Sequence, residues 1–369
     1  MRRSASMVAL VLSAAPFGSA SAQDPVALNV TAVPTQYTVK SGLIGKKGKT
    51  AKDISGIACM PGQGEQPRTC LVINDENREA QFVTIDKATV TPGKTVPLIG
   101  REPDESTRGA KPTQTKCPNN APEFTDLDGE GVAYAEPYFY VAGSHGCSRN
   151  SGEFHLSAFI LARFRVDGHG NPVGLDGKAL AAGKPIPVET TYRLSDALLA
   201  APPVAPFFGK KLQTEGGNTA EEPNGLNLEG VAVIGDRLFA GLRAPSINGG
   251  AFIVAGNVNE LFAKELGSPL KTEVIELKLG KNAGIRDLTR LADDKLLGIA
   301  GPAQKQADVP YSLFIAEAKT NGVLRMGKIP DLTDPEELKP EAVVALAPDR
   351  VLILFDGAPN GGPREYKID

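Results

Sequence analysis

Charged side chains recur at the start of five similar segments of this 369-residue chain. Each segment opens on an acidic or small polar residue, continues with alternating apolar residues and returns, after a polar turn, as a second apolar run. The segments start at residues 53, 130, 229, 287 and 341. Carboxylates that meet at one place can bind a cation or act as general bases, and arginines can hold an anion. The repeats are therefore where we expect the chemistry of this protein.

The repeats and their returning runs supply the candidate site residues. Glu130, Glu229 and His145 are the candidates for catalysis. Glu130, Glu229 and Asp287 are the candidates for metal ligation, with Ca²⁺ as the expected cation because it prefers oxygen ligands. The candidates for binding a ligand are Asp75, Arg149, Arg243, Arg286, Asp287, Glu341 and Asp356.

An alternative interpretation is purely structural, because a repeated acid can also hydrogen-bond backbone amides and hold neighbouring repeats together. Residues that differ between copies are not required by the repeat. Asp75, Asp356, Arg243 and His145 are of this kind, which makes them the stronger functional candidates.

The returning runs are CLVIND, YFYVAG, RLFAGL, KLLGIA and RVLILF. Such apolar runs, paired across polar turns, predict β-hairpins that are buried on both faces. Further strand-like runs fill the gaps, and the last two repeat spacings, of 58 and 54 residues, suit four-stranded units. We therefore predict an all-β fold, a single β-propeller with five blades. A sixth blade would need a degenerate unit between residues 130 and 229, and a β-sandwich is the alternative fold.

The predicted propeller domain covers residues 23–369, with insertions at about 101–125 and 200–227, where the alternation is lost. The segment at 257–266 predicts a short helix that begins at an Asn cap. A strand near residues 27–37 is expected to close the ring by completing the last blade.

Hairpin geometry predicts where the polar residues meet. The start of the first strand and the end of the second lie at the same edge of a sheet, so the five repeats should form one mouth of the central channel. The expected facing pairs are Ser55 with Asp75, Glu130 with Ser144 or His145, Glu229 with Arg243, Asp287 with Gly301, and Glu341 with Asp356.

Cysteines and the N-terminus indicate the compartment. Cys59 and Cys70 lie opposite each other in the first predicted hairpin, and Cys117 and Cys147 would tie the first insertion beside the mouth, so two disulfides are predicted. Residues 1–22 contain a basic start, an apolar run and an Ala-Ser-Ala cleavage signal, as in a secretory signal peptide. We expect a secreted or periplasmic protein.

The composition limits the classes of partner that this protein is expected to bind. The chain has 40 basic and 43 acidic residues, a formal net charge of −3, and no basic cluster. We therefore expect no nucleic-acid and no membrane binding, and a monomer. The expected partners are a small-molecule or anionic ligand, or another protein.

Several motifs in order resemble the bacterial family called domain of unknown function 3616. They are DLDGEGVAY with YVAGSHG, NLEGVAV with LFAGLRAP, GIRDLTRL with LLGIAGP, and PEAVVAL with LILFDGA. The pattern is more distantly similar to the phytase-type esterase-like propellers. That similarity implies a calcium-assisted hydrolase of a small phosphoester, although a multi-Asp calcium constellation is missing here.

Three functional hypotheses follow. The first is a propeller that binds a small ligand or a cation at a charged channel mouth. The second is a calcium-assisted hydrolase of a small anionic ester, with Glu130 or Glu229 as general base, His145 as proton carrier and arginines holding the anion. The third is a non-catalytic scaffold whose insertions bind a protein partner.

Overall fold

The computed structural model describes residues 25–62, 66–113, 116–120, 124–149, 151–212, 225–267, 269–292, 294–319, 322–332 and 338–369. These residues form mainly antiparallel sheets arranged as five blades around a central channel, as the sequence predicts, and the outermost strands β1 and β3 pair in parallel. The predicted signal peptide, residues 1–22, lies outside the described residues.

Strands dominate the described residues because β-branched and aromatic side chains fill the apolar runs. In chain order they are β1 Val26–Ala27, β2 Val30–Ala32, β3 Thr38–Val39, β4 Ile54–Cys59, β5 Arg68–Asn74, β6 Glu79–Asp86, β7 Thr89–Pro97, β8 Asn119–Asn120, β9 Gly129–Ala135, β10 Tyr138–Gly143, β11 Glu153–Phe154, β12 Leu161–Arg165, β13 Val188–Thr191, β14 Asn227–Ile234, β15 Arg237–Ala244, β16 Gly250–Asn257, β17 Thr272–Lys278, β18 Ala283–Arg290, β19 Lys295–Pro302, β20 Ser312–Glu317, β21 Val323–Lys328, β22 Lys339–Ala347, β23 Arg350–Asp356 and β24 Arg364–Ile368.

Each blade is a sheet whose innermost strand is the first strand of a repeat. From the channel outwards the blades are β4-β5-β6-β7-β3, β9-β10-β12-β13, β14-β15-β16-β17, β18-β19-β20-β21-β1 and β22-β23-β24-β2. The inner strands β4, β9, β14, β18 and β22 each contact the next, and β22 contacts β4, so the ring is closed. The predicted closure by the N-terminal segment is confirmed, because β2 pairs with β24 and completes the fifth blade.

The core lies between neighbouring blades rather than at the centre of the molecule. Five clusters of buried apolar side chains fill the five interfaces between blades. In the first interface, Phe82 meets Phe139 and Phe164 edge-on, with ring centroids 5.9 Å apart in both pairs. This apolar packing between blades holds the inner strands in a fixed ring, which positions the side chains at the mouth.

Helical structure is confined to the insertions and connections. The helices are α1 Arg193–Leu199 and α2 Val258–Leu261, with single 3₁₀ turns at Lys46–Gly48, Leu156–Phe159, Ala205–Phe207 and Pro359–Gly361. The predicted Asn cap is confirmed, since the Asn257 side chain accepts a hydrogen bond of 2.8 Å from the Asn259 amide. In the described part of the chain, no helix is long and apolar enough to cross a membrane.

Both predicted disulfides are present. Cys59–Cys70 joins β4 to β5 across the first hairpin. Cys117–Cys147 ties the first insertion to the segment that follows β10. The disulfide therefore holds the chain in place just before Arg149.

Candidate functional site

Every inner hairpin carries a β-bulge near the start of its inner strand. The strand pairing skips one residue in each blade, and the skipped residues are Ser55, Glu130, Glu229, Arg286 and Glu341. A bulge adds one unpaired residue to a strand and changes the direction of its side chain. All five of these bulge residues are buried. They form one ring at the edge of the blades where the inner strands begin, which we call the mouth.

The bulges correct the facing pairs expected from the sequence. Asp356 pairs with Lys339 instead of Glu341, and Asp287 pairs with Ile299 instead of Gly301. Asp75 donates its amide to the Asp53 carbonyl at 3.3 Å instead of lying opposite Ser55. The physical reason is the extra residue, which shifts the register beyond each bulge. Consequently the fourth blade contributes Arg286 to the ring, and not Asp287.

Glycine follows the bulge residue in the first three blades because the neighbouring inner strand passes close to it. A Cβ atom on Gly56 would lie 2.6 Å from the Glu130 carbonyl oxygen. On Gly230 it would lie 2.5 Å from the Leu288 amide nitrogen. Both distances are well inside van der Waals contact, so the glycines permit the close packing of adjacent blades.

Asp287 occupies the equivalent position in the fourth blade and has a structural role. Its Oδ1 accepts a hydrogen bond of 2.8 Å from the Leu288 amide, and its Oδ2 accepts one of 2.6 Å from the Val343 amide in β22. The side chain thus ties the fourth blade to the fifth, as the structural interpretation of the repeated acids proposed. Burial raises the pKa of Asp287 well above its ordinary value.

The close packing of the inner strands gives a direct prediction. We expect Gly230→Ala to lower the free energy of unfolding by about 1–3 kcal/mol, because the added methyl group meets backbone atoms that cannot rotate away. Gly256→Ala in β16 is the matched control, since no atom lies within 4 Å of the position of its Cβ. Urea denaturation followed by circular dichroism measures both variants. Equal stability of the two variants would contradict the packing argument.

A chain of buried ion pairs crosses the mouth from the third blade to the fifth. Arg243 Nη1 lies 2.8 Å from Glu229 Oε1, and Arg286 Nε lies 3.1 Å from Glu229 Oε2. Arg286 Nη2 also pairs with Glu341 Oε1. Although burial acts to raise it, the two arginines hold the pKa of Glu229 below its ordinary value. Glu229 is therefore a charged structural partner and a poor general base.

Three carboxyl groups on the side of the first two blades have no ion-pair partner within 4 Å among the described residues. They are Asp75, Asp128 and Glu130, which we call the acid pocket. Burial raises the pKa of Asp75 and of Glu130 well above the ordinary values, and the nearby acids raise both further. Burial also raises the pKa of Asp128, against the effect of a hydrogen bond from Ser144 Oγ. Among the described residues, Glu130 receives no hydrogen bond at all.

Arg149 lies at the rim of the acid pocket, two residues after Cys147. Its side chain is exposed to solvent and makes no ion pair within 4 Å among the described residues. Against the effect of its partial burial, the charges of Glu229 and Glu130 raise the pKa of Arg149. Arg149 is thus a long-range counter-charge rather than a bonded partner of the acids.

His145 and Asp356 complete the predicted site residues. His145 is fully buried, its Nδ1 lies 2.9 Å from the Gly143 carbonyl oxygen, and its ring packs against Phe159. Burial lowers the pKa of His145 to about 4, so the imidazole is neutral at physiological pH. Asp356 Oδ2 lies 2.7 Å from Lys339 Nζ, which balances its charge.

Several buried polar atoms without a hydrogen-bond partner among the described residues lie at the mouth, and others lie elsewhere in the blades. In the described part of the chain, those at the mouth include Asn74 Nδ2, Asp75 Oδ1, His145 Nε2, Asn227 Oδ1, Ser246 Oγ and Arg286 Nη1. Asn74 ends β5 and Asn227 begins β14, so both lie at the same edge as the bulge ring. Neither asparagine was predicted from the sequence. The signal that could have found them is their position, since Asn74 directly precedes Asp75 and Asn227 lies two residues before Glu229.

Two of the three predicted metal ligands are engaged by other groups of the protein. Glu229 is engaged by two arginines and Asp287 by two backbone amides, which leaves Glu130 as the one member of the predicted set without such partners. Within the described residues, no group of three or more histidine, cysteine, aspartate or glutamate side chains is arranged to hold a metal ion.

Solved structures from several organisms align with this chain over most of its length. The PQQ-bound aldose sugar dehydrogenase of Streptomyces coelicolor is 14% identical, with 94% of this chain and 99% of that chain covered and a TM-score of 0.40. A hypothetical protein from Leishmania major is 9% identical, with 90% and 88% covered and a TM-score of 0.37. A DUF4221 protein from Bacteroides vulgatus is 10% identical, with 93% and 98% covered and a TM-score of 0.35.

No curated protein matches the sequence. Residues 177–328, which include strands β14–β21 of the third and fourth blades, match the family model described as "Protein of unknown function (DUF3616)". The resemblance seen in the sequence motifs is thereby confirmed: over residues 177–328, this chain carries the DUF3616 family pattern.

Proposed function

We propose that the protein binds a small polar ligand at the mouth of the propeller channel. The observation that carries the proposal is the set of buried polar atoms beside the bulge ring that have no hydrogen-bond partner among the described residues. The large majority of buried side-chain polar atoms in folded proteins have a hydrogen-bond partner, so these exceptions need a reason. A ligand that is bound in the working protein supplies one.

The unpartnered atoms define what the ligand must offer. Asn74 Nδ2 and Arg286 Nη1 are donors and require acceptors, whereas Asp75 Oδ1 and Asn227 Oδ1 are acceptors and require donors. A molecule with both kinds of group satisfies them at once. The bulge ring is built on rigid inner strands, so these atoms are held ready without a loss of side-chain freedom on binding.

Removing one unpartnered atom tests the proposal. We expect Asn227→Leu to leave the ligand-free protein as stable as the wild type or more so, because a buried unpartnered oxygen is replaced by an apolar group of similar size. The same change should abolish ligand binding. Thr272→Val in β17 is the matched control, because it removes an unpartnered hydroxyl oxygen far from the mouth.

Thermal unfolding with glucose, putrescine and citrate, as representatives of neutral, cationic and anionic ligands, measures the effect. A ligand at a hundred times its Kd stabilises a protein by about 2.7 kcal/mol. We expect at least one class to raise the Tm of the wild type and of Thr272→Val, but not of Asn227→Leu. A clear loss of stability in ligand-free Asn227→Leu, or an equal response of all three proteins, would argue that Asn227 is a structural residue and the mouth is not a ligand site.

The hydrolase hypothesis finds less support in the geometry. Glu229 is held as a charged partner of two arginines, and His145 is fully buried and packs against Phe159. Glu130 remains the one candidate for general acid or base in the predicted set, because burial and neighbouring acids raise its pKa above the ordinary range, as in many catalytic carboxyls. The hydrolase and scaffold hypotheses stay predictions.

A further inference from the structure

We infer that the ligand at the mouth carries a positively charged amine or guanidinium group, which binds in the acid pocket of Asp75, Asp128 and Glu130. This inference rests on the proposed function and names the chemical class of the ligand. Two of these acids are distinguished by missing hydrogen bonds as well as by their charge. Asp75 Oδ1 is buried without a partner, and Glu130, whose residue is 4% exposed, receives no hydrogen bond from the described residues.

The charges that face the acid pocket leave it with an excess of acids. Its electrostatic neighbours are the acids Asp53, Asp126, Glu229 and Asp356 and the cations Arg149 and Lys46. Asp356 is balanced by Lys339, and Glu229 by Arg243 and Arg286. Five acids, namely Asp53, Asp126 and the three of the pocket, therefore share two cations among the described residues, Arg149 and Lys46, and Lys46 is already paired with Glu76.

Arg149 marks where the charge of the ligand would lie. Its guanidinium is attracted by the acids of the pocket, yet its side chain is exposed and holds no ion pair within 4 Å among the described residues. An arginine without an ion-pair partner is easily displaced, because it gives up little bonding. A ligand cation in the pocket would therefore replace Arg149 as the counter-charge.

The alternatives to an organic cation fit less well. An anion would find the guanidinium groups of Arg243 and Arg286 already paired with carboxylates, and it would face Glu130 across the mouth. Ca²⁺ takes six to eight oxygen ligands, and the described residues contain no group of three acidic, histidine or cysteine side chains arranged for a metal. An ammonium group, in contrast, donates hydrogen bonds that suit Asp75 Oδ1 and Asn227 Oδ1.

Titration calorimetry at pH 7.5 with two isosteric probes tests the inference. Putrescine and 1,4-butanediol have the same carbon chain and differ in charge, so we expect putrescine to bind at least about tenfold more tightly. Glu130→Gln and Asp75→Asn should each weaken putrescine binding by about tenfold or more. Asp176→Asn, at an exposed acid remote from the mouth, is the matched control and should bind like the wild type.

Arg149→Gln is expected to change the affinity for putrescine in the opposite direction. If Arg149 competes with the ligand cation, this variant should bind putrescine more tightly than the wild type. Binding should also weaken as the pH falls below 7.5, because carboxyls whose pKa is raised lose their charge at a higher pH than ordinary carboxylates do.

Three results would overturn the inference: equal affinity for the diamine and the diol, no binding of putrescine, or tighter binding of citrate that Arg149→Gln abolishes. If glucose or citrate binds and Asn227→Leu abolishes that binding, the charge inference falls while the proposed function stands. If no probe binds and Asn227→Leu behaves like Thr272→Val, both fall.

Discussion

Arg286→Met is expected to lower the free energy of unfolding by about 3–5 kcal/mol, one of the two largest effects we predict. Arg286 is 1% exposed and bridges Glu229 and Glu341 at the centre of the mouth. Removing one partner of a buried ion pair leaves the other charge buried and uncompensated. Urea denaturation of the purified variant, followed by circular dichroism, measures the loss.

The controls for this prediction separate charge from packing. Lys319→Met removes one partner of an exposed pair, with side chains 69% and 53% exposed, and should change stability by less than about 1 kcal/mol. Combining Arg286→Met with Glu341→Gln should restore part of the stability, because the uncompensated charge of Glu341 is gone while Glu229 keeps its pair with Arg243. An effect of Arg286→Met as small as that of Lys319→Met would show that the ion-pair chain does not hold the mouth.

Glu130→Gln is expected to act in the opposite direction and to raise the free energy of unfolding at pH 7.5 by about 1–3 kcal/mol. The pKa of Glu130 is raised in the folded protein, chiefly by burial and further by neighbouring acids. A carboxyl of this kind favours folding in its protonated form, so its ionisation destabilises the fold. The loss begins as the pH rises through the unfolded value of about 4.3 and is complete above the raised folded value.

The pH dependence makes this prediction distinctive. Near pH 4 the wild type and Glu130→Gln should be about equally stable, since the carboxyl is largely protonated in both folded and unfolded chains. As the pH rises, the variant should become progressively more stable than the wild type. A constant difference across this range, or a variant that is less stable at pH 7.5, would contradict the uncompensated charge of Glu130.

A gain in stability together with a loss of binding is the pattern expected of a functional residue. Binding sites often keep groups that destabilise the ligand-free fold, because those groups interact with the ligand. Glu130 has this character, whereas Asp287 and Glu229, which are equally buried, are fully engaged by protein partners. The two kinds of acid differ in their surroundings and not in their residue type.

Much of the fold could be predicted from the sequence. The five repeats predicted five blades, because each apolar hairpin has to be covered by its neighbours. The spacing of Cys59 and Cys70 in a hairpin predicted their bridge, and the pairing of Cys117 with Cys147 followed from their place beside the mouth. These features depend on local alternation and on strand pairing, which are visible in one sequence.

The details of the site could not be predicted in the same way, because each depends on a one-residue irregularity. Regular pairing would place Asp287 in the ring, but the bulge in β18 places Arg286 there and turns Asp287 towards the β22 backbone. Asn74 and Asn227 carry no recognisable motif, and their importance arises from burial without a partner. Bulges and burial are properties of the packed blades and leave little trace in the sequence.

The central claim is that the acid pocket binds a cationic ligand, and the pKa of Glu130 tests this claim most directly. Carboxyl ¹³C NMR of glutamate-labelled protein, with the Glu130 signal assigned by its absence in Glu130→Gln, measures that pKa with and without saturating putrescine. We predict a pKa above the ordinary value of about 4.3 in the ligand-free protein and a lower pKa when putrescine is bound. An ordinary pKa that putrescine leaves unchanged would contradict the account.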